Sequence, residues 1–374
     1  MRVALVHDWL TGMRGGEKVL EVLCERYPDA DLFTLVHVPG SVSPAIERRR
    51  IHTSLVQHLP GIRRYYRQCL PLYPTLVEQF DLEGFDLVIS SSHCVAKSVI
   101  VPPRAVHICY CHTPMRYAWD QFDAYFGADR VGPLLSPIAR RAMARLARWD
   151  RATAGRVSRY LTNSRHVARR IEQYYNREAI VIHPPVDTTF FRPDPSVAAH
   201  DGACLIVSAL VPYKRLEVAV DACRIAGVPL TIVGQGPERA RLERAAAAGG
   251  ASVTFLGRLS DEDVRQQYLR ASLVLMPGEE DFGIVPLEAQ ACGRPVVALG
   301  RGGAVETILP GETGLLVDEP TPAAFADAIG QARQRRFDAD AIRRHAERFS
   351  RGRFVEQLQT VIDETMAANR SQAC

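Results

Sequence analysis

Residues 273–293, LVLMPGEEDFGIVPLEAQACG, decide the fold. Leu273–Met276 is a short, wholly apolar run of the kind a strand buried on both faces requires. Pro277 and Gly278 end it, and a polar loop follows with Glu280 and Gly283. A short helix from Pro286 to Cys292 comes next, with proline in its first turn, where a missing N–H costs nothing. Strand, loop and helix, followed by another apolar run at Val296–Leu299, form the repeating unit of a parallel sheet. Its loop stands at the carboxyl end of the strand, where open α/β sheets hold their ligands.

The same grammar extends in both directions. Upstream, strands are predicted at Cys204–Ser208, Leu230–Val233 and Val253–Leu256, with helices at Leu216–Ile225, Glu238–Ala248 and Asp261–Leu269. The first half repeats it, with strands at Arg2–His7, Leu32–Val36, Asp86–Ile89, Val106–Tyr110, Tyr160–Thr162 and Ile180–Ile182. Twice-repeated alternation predicts an α/β protein of two doubly wound Rossmann-like domains facing a central cleft. His183–Asp187 (HPPVD) and Arg192–Pro195 (RPDP) are stiff breaks that put the seam near residue 190. The expected division is 1–188, an N-terminal Rossmann-like domain; 189–349, a C-terminal Rossmann-like domain; and 350–374, a helix and tail. Phe354, Leu358, Val361, Ile362 and Met366 recur at helical spacing, so that helix should pack back toward the N-terminal domain.

The 374 residues suit two domains at about 100–200 residues each, and 47% hydrophobic with 24% charged residues excludes a disordered chain. No apolar run reaches the roughly 18 residues of a membrane span, and no secretory leader pattern opens the sequence. Nine cysteines without a CxxC pair fit reduced thiols and a cytoplasmic setting. Only Lys18, Lys97 and Lys214 are lysines; the other 43 of 46 basic residues are arginines. Each lysine retained in such a chain is informative, because the two side chains differ in shape and hydration.

Several constellations carry chemistry. Gly12-Met13-Arg14-Gly15-Gly16-Glu17-Lys18 joins a strand to a helix start, whose free N–H groups and dipole suit an anion or polar acceptor. It is not the dinucleotide fingerprint, and no acidic residue ends the second strand as ribose binding in that pattern needs. Glu280 and Glu288 can each accept hydrogen bonds from sugar hydroxyls. The N–H groups around Phe282, Gly283, Ile284 and Val285 suit a diphosphate. His112 follows a strand end. His107, Cys109 and Cys111 alternate onto one face without a second ligand pair, so no zinc site is expected. Asp29/Asp31, Asp261/Asp263 and Asp338/Asp340 are Asp-x-Asp triplets, but the first enters a strand and the others start helices, where acids are favoured anyway.

Glu280-x7-Glu288 within EDFGIVPLEA resembles the signature of retaining glycosyltransferases of the GT-B fold, the nucleotide-sugar-dependent family 4. Ser208–Lys214 (SALVPYK), Val233–Pro237 (VGQGP), Phe255-Leu256-Gly257 and Gly302-Gly303-x-x-Glu306 fall in the expected order. Tyr110–Asp120 (YCHTPMRYAWD) is similar to the branch of bacterial O-antigen and exopolysaccharide mannosyltransferases. The resemblance implies that Lys214 neutralises the leaving diphosphate, Glu280 holds hydroxyls of the transferred sugar and Glu288 the ribose. It implies backbone donors at Phe282–Val285, a nucleotide base bordered by Gly257 and Arg258, and an acceptor side lined by Gly15 and Gly16. His112 would act on a sugar hydroxyl or on the acceptor. The arginine usual five positions before the lysine is here Ala209, and Arg215 or Arg14 is expected to replace it. No cofactor and no metal are implied.

Eleven arginines between Arg140 and Arg177, and a second patch at Arg48–Arg50 and Arg63–Arg67, suit an anionic membrane surface or a lipid diphosphate; no nucleic-acid motif accompanies them. The expected protein is a metal-independent, retaining hexosyltransferase, peripheral on the inner face of the cytoplasmic membrane. It would move mannose from GDP-mannose, or a sugar from a UDP-sugar, onto a polyprenyl-diphosphate-linked glycan in surface polysaccharide synthesis. The alternatives are a GT-B epimerase or hydrolase, which would consume donor without acceptor, and an inactive nucleotide-binding scaffold.

Overall fold

The computed structural model describes residues 1–197 and 202–373; Cys374, expected as a reduced thiol, and residues 198–201 within the expected second domain lie outside them. The chain forms two compact units, Met1–Pro185 with Phe354–Cys374, and Val186–Arg353.

The first unit is built on seven parallel strands: β1 (Val3–His7), β2 (Asp31–Thr34), β3 (Arg50–Thr53), β4 (Leu87–Ser92), β5 (Val106–Cys111), β6 (Arg159–Thr162) and β7 (Ala179–Val181). Their order is β3-β2-β1-β4-β5-β6-β7, all parallel. β1, β4 and β5 are buried along their whole length, as strands covered on both faces must be. Helix α1 (Gly15–Arg26) covers one face through Val19, Leu20, Val22 and Leu23. Helix α2 (Ser136–Ala152) buries Met143 and Leu146 in the cluster on the other face, and α3 (Arg165–Tyr175) buries Val167 and Ile171.

The second unit repeats the plan with β8 (Cys204–Val207), β9 (Leu230–Val233), β10 (Val253–Gly257), β11 (Leu273–Met276), β12 (Val296–Leu299) and β13 (Gly314–Val317). The order is β10-β9-β8-β11-β12-β13, again all parallel. Helix α4 (Leu216–Ala226) shares a core with Leu230, Leu275 and Phe325. Helix α5 (Ile284–Ala291) follows β11, two residues earlier than the sequence pattern suggests, so Pro286 is its third residue. The C-terminal helix α6 (Arg351–Ala373) seats Phe354, Leu358, Val361 and Ile362 in the first unit's core beside Leu5 and Tyr110, as their spacing predicts.

Two strands escape the sequence reading. β3 is a half-exposed edge strand, Arg-Ile-His-Thr, without an apolar run. β13 offers only Leu315, Leu316 and Val317 after a glycine. In both sheets the order reverses beside the first strand, between β1 and β4 and between β8 and β11. Ligand sites of open α/β sheets form at this reversal.

Candidate functional site

In the second unit the reversal brings the ends of β8 and β11 together, and the loops that carry Lys214 and Glu280 leave the sheet there. After β8 the chain runs through Ala209, which is exposed, to a 3-10 turn at Pro212–Lys214. After β11 comes the loop bearing Glu280. Lys214 Nζ and Glu280 Oε1 form an ion pair, each side chain largely covered. Gly278 permits the approach: a Cβ there would lie 2.7 Å from Lys214 Cα and from the Tyr213 carbonyl oxygen.

The Glu280 loop is fixed from behind. The Gly303 N–H donates to the Glu280 carbonyl at 2.8 Å, and a Cβ on Gly303 would stand 2.2 Å from Phe282 Cα. Phe282 is buried against Val186, Leu287 and Phe349. Gly283 caps α5 at φ 86°, a left-handed conformation that leaves the first-turn N–H groups of Ile284 and Val285 without helical acceptors. Glu288 sits one turn further, buried, and its Oε2 accepts from the Tyr268 hydroxyl at 3.0 Å. One carboxylate oxygen thus braces the helix against Tyr268, a partner the sequence does not disclose. Arg215 is exposed in a left-handed conformation at the start of α4. Gly257 ends β10 with Arg258 exposed beside it, and the Gly257 carbonyl accepts from the Gly234 N–H at 2.7 Å.

In the first unit the corresponding reversal joins the ends of β1 and β4, and β5 lies next to β4. His112 follows β5, held by its N–H to the Ser92 carbonyl and by Asn163 Nδ2 donating to its own carbonyl, both at 2.8 Å. Its Nε2 lies 2.8 Å from Ser91 Oγ. Gly16 faces the ring, a Cβ there falling 3.5 Å from that nitrogen; Gly15 opens α1 and is exposed. Burial, with His93 and His7 nearby, holds the His112 imidazole well below its usual pKa, so it is neutral near pH 7.

Around His112 stands a cluster that sequence reasoning missed. Asp8, wholly buried, accepts four backbone N–H groups, from His93, Cys94, Val95 and Ala96, at 2.7–2.9 Å. Its carboxylate also lies 3.2 Å from His93 Nδ1. His7 and Glu17, both buried, stand beside Ser91 and Arg14. His7, Asp8 and His93 all close a strand at its carboxyl end. That signal singles out His112 and applies equally to them.

At the N-terminus of α1, Glu17 Oε2 accepts from the N–H of the N-cap residue Arg14 at 3.1 Å. Three of the eleven arginines are structural. Arg156 pairs with Glu78 at 2.7 Å, buried Arg170 with Asp120 at 2.6 Å, and Arg177 donates to the Val157 carbonyl. In the second patch Arg50 pairs with Asp31 and Arg49 bonds the Tyr27 carbonyl. Arg141, Arg145, Arg148 and Arg151 remain exposed on α2, whose one carboxylate, Asp150, is buried.

Asp31 pairs with Arg50 and His52, while Asp338 caps a helix start and Asp263 lies in the first turn after the Ser260 cap. Among the described residues no group of three His, Cys, Asp or Glu side chains is arranged to hold a metal ion. The eight described cysteines are free and buried. No described helix is long and apolar enough to cross a membrane.

Paired parallel sheets, each with polar residues gathered at its strand-order reversal, define the GT-B class. Solved structures agree on that fold: Anabaena HepE in complex with UDP matches with a TM-score of 0.72 at 19% identity, over 97% of this chain and 100% of that one. Sucrose-phosphate synthase from Thermosynechococcus elongatus matches at 0.73 and 18% identity, over 98% and 100%. The Glycosyltransferase Family 4 model matches residues 13–190, and the Glycosyl transferases group 1 model matches residues 187–349. Between them the two models, both of glycosyltransferases, match residues 13–349. A D-inositol 3-phosphate glycosyltransferase of Acidothermus cellulolyticus is 32% identical over 248 residues, 58% of this chain and 55% of that protein. A GDP-mannose-dependent alpha-(1-6)-phosphatidylinositol monomannoside mannosyltransferase of Mycolicibacterium smegmatis is 33% identical over 250 residues, 55% and 65% respectively. The match therefore spans little more than half to about two thirds of these relatives' length.

Proposed function

We propose that the chain is a retaining, metal-independent hexosyltransferase that moves mannose from GDP-mannose onto a polyprenyl-diphosphate-linked glycan in bacterial surface polysaccharide synthesis. The observation that carries this reading is the meeting of Lys214 with Glu280. A nucleotide sugar presents a diphosphate and a hexose joined at one oxygen, so its recognition needs a cation and a hydroxyl acceptor at the same point. Lys214 would take the leaving diphosphate together with the first-turn N–H groups of α5 and, in place of the arginine missing at Ala209, Arg215. Glu280 would hold the hexose hydroxyls, Glu288 the ribose, and Gly257-Arg258 the base. His112 would serve the sugar or the acceptor, with Gly15 and Gly16 lining the acceptor side. Mannose and guanine are favoured by the mannosyltransferase relative, which its name describes as GDP-mannose-dependent.

Transfer would break the bond from the anomeric carbon to the diphosphate and form the bond to the acceptor oxygen on the same face. The acceptor's proton would pass to the leaving phosphate oxygen. Glu280 is committed to hydroxyls and to Lys214, so this front-face route is preferred to a covalent glycosyl-enzyme, which needs a dedicated carboxylate nucleophile. The lipid acceptor and a peripheral place on the inner membrane face are supported by α2. Arg141, Arg145, Arg148 and Arg151 are exposed there without a neighbouring exposed acid on that helix, beside exposed Leu134, Leu135 and Ile138. Basic residues near an anionic bilayer contribute about 1 kcal/mol each.

The test is a panel of GDP- and UDP-sugars in EDTA, with and without polyprenyl-diphosphate acceptor in anionic vesicles. Nucleoside diphosphate release requiring both GDP-mannose and acceptor is expected. Release from donor alone would indicate an epimerase or hydrolase, and binding without release would indicate a scaffold.

A further inference from the structure

Ser91 links two imidazoles through one hydroxyl. Its Oγ lies 2.8 Å from His112 Nε2 and 3.1 Å from His7 Nδ1. The other nitrogen of His7, Nε2, is buried and has no hydrogen-bond partner among the described residues. Its nearest carboxylate oxygen is Glu17 Oε1, at 3.8 Å, too far for a hydrogen bond but close for a charge in a dry site. Among the described residues His112 Nδ1 makes no hydrogen bond either.

A hydroxyl has one proton to give, and a neutral imidazole has one N–H and one lone pair. These two limits fix the order of protons along the chain. The Glu17 carboxylate is ionised: burial opposes this, but neighbouring His7, His93 and Arg14 more than offset it and hold the carboxyl below its usual range. A lone pair on His7 Nε2 would face that negative charge, so the N–H stands there. His7 Nδ1 then carries the lone pair and accepts from the Ser91 hydroxyl. Ser91, its proton spent on His7, accepts from His112 Nε2–H. The lone pair of His112 is left on Nδ1.

We propose that Glu17, His7 and Ser91 form a positioning chain that fixes His112 as the Nε2–H tautomer, presenting Nδ1 as a hydrogen-bond acceptor toward a substrate hydroxyl. This rests on the assignment of His112 to the transfer reaction. The chain also explains why the N-terminal loop carries Glu17 buried behind Gly16: the carboxylate that caps α1 with one oxygen orients the histidine pair with the other. His112 in this tautomer takes a proton in hydrogen bonding rather than giving one, which suits the hydroxyl of an acceptor or of the transferred sugar.

Glu17→Gln isolates the effect. Glutamine serves the helix cap as glutamate does, but its amide N–H turned toward His7 Nε2 would reverse every step. His7 Nε2 would accept, Nδ1–H would donate to Ser91, and Ser91 would donate to His112 Nε2, moving the His112 proton to Nδ1. Nitrogen-15 NMR of histidine-labelled protein reads this directly. The wild type should show His112 with Nε2 protonated and Nδ1 bare, and Glu17→Gln should show the reverse, with thermal stability kept. The kcat of Glu17→Gln should fall by roughly ten- to a hundredfold with the donor KM unchanged. Ser91→Ala should lower kcat comparably. An unchanged tautomer and turnover in Glu17→Gln, while His112→Asn is inactive, overturns the chain but leaves the assignment of His112 standing. A His112→Asn variant with wild-type turnover overturns that assignment itself, and with it the proposal.

Discussion

Lys214 and Glu280, 66 positions apart, meet as an ion pair at the carboxyl edge of the second sheet. Under the proposed function the pair would make the two groups competitors: a diphosphate engaging Lys214 would have to draw it from Glu280, whereas a hexose would engage Glu280 alone. Lys214→Ala is therefore expected to weaken nucleoside diphosphate binding by about 1.5–3 kcal/mol, the range for a charge-assisted hydrogen bond. Glu280→Gln should bind the same nucleotide at least as tightly as wild type. Calorimetric titration of both variants with GDP checks this; equal losses in both would show that the pair acts only as a structural tie.

Gly303 supports the Glu280 loop at a distance no side chain tolerates. Gly303→Ala must displace the backbone at Phe282, and with it the carboxylate one turn of loop away. Misplacement of about 1 Å is enough to reduce kcat/KM roughly a hundredfold. Steady-state kinetics should show that loss with the melting temperature lowered only modestly. Normal kinetics would mean the loop reaches its working position without this support.

Lys97 is retained for the fold. Both it and Asp150 are essentially inaccessible, at 1% and 0% side-chain exposure, and they pair at 2.9 Å. Lys97 Nζ also donates to the Asp150 carbonyl at 2.7 Å, while Asp150 Oδ2 accepts from Trp119 Nε1 and the Tyr175 hydroxyl, each at 2.8 Å. Removing one partner strands the other's charge. Lys97→Met should cost about 3–5 kcal/mol in chemical denaturation, with turnover per folded molecule preserved. A cost below about 1 kcal/mol would contradict the pairing.

Buried neutral histidines make the fold acid-sensitive. His107 bonds Ser90 Oγ and the Arg156 carbonyl at 2.8 and 3.1 Å, and burial pushes its pKa from 6.5 down to about 4. Between those values the unfolded chain binds a proton that the folded one refuses. Stability is thus complete above about pH 6.5 and is lost as pH falls toward 4, by on the order of 3 kcal/mol from this group. His112 and His345 are shifted in the same direction. Urea denaturation across this range should show the decline, less steep in His107→Gln. A flat profile would place charged histidines in the native state.

Much of the architecture is legible in the chain because apolar runs such as Leu230–Val233, Leu273–Met276 and Val296–Leu299 sit between glycine-containing loops, and the strands formed there have those same limits. β3 and β13 are not legible, since an edge strand needs no continuous apolar run. The residues of the Glu280 loop stand out in the sequence through their spacing. Their mutual contacts are not: Lys214 with Glu280, and Glu288 with Tyr268, join positions that only the fold brings together. In the first unit the reading stopped at His112, because Asp8, Glu17 and His93 are single polar residues scattered over 86 positions, and their convergence at adjacent strand ends depends on the strand order. The arginine count misled, since composition does not separate Arg170, buried on Asp120, from Arg145, exposed on α2.

The most direct test compares Glu280→Gln with wild type for acceptor-dependent mannosyl transfer from saturating GDP-mannose, with circular dichroism and melting temperature measured on the same samples. The account predicts an unchanged fold and a kcat lowered by roughly 10²–10³, the usual cost of removing one preorganised transition-state contact. Wild-type turnover by Glu280→Gln would contradict it.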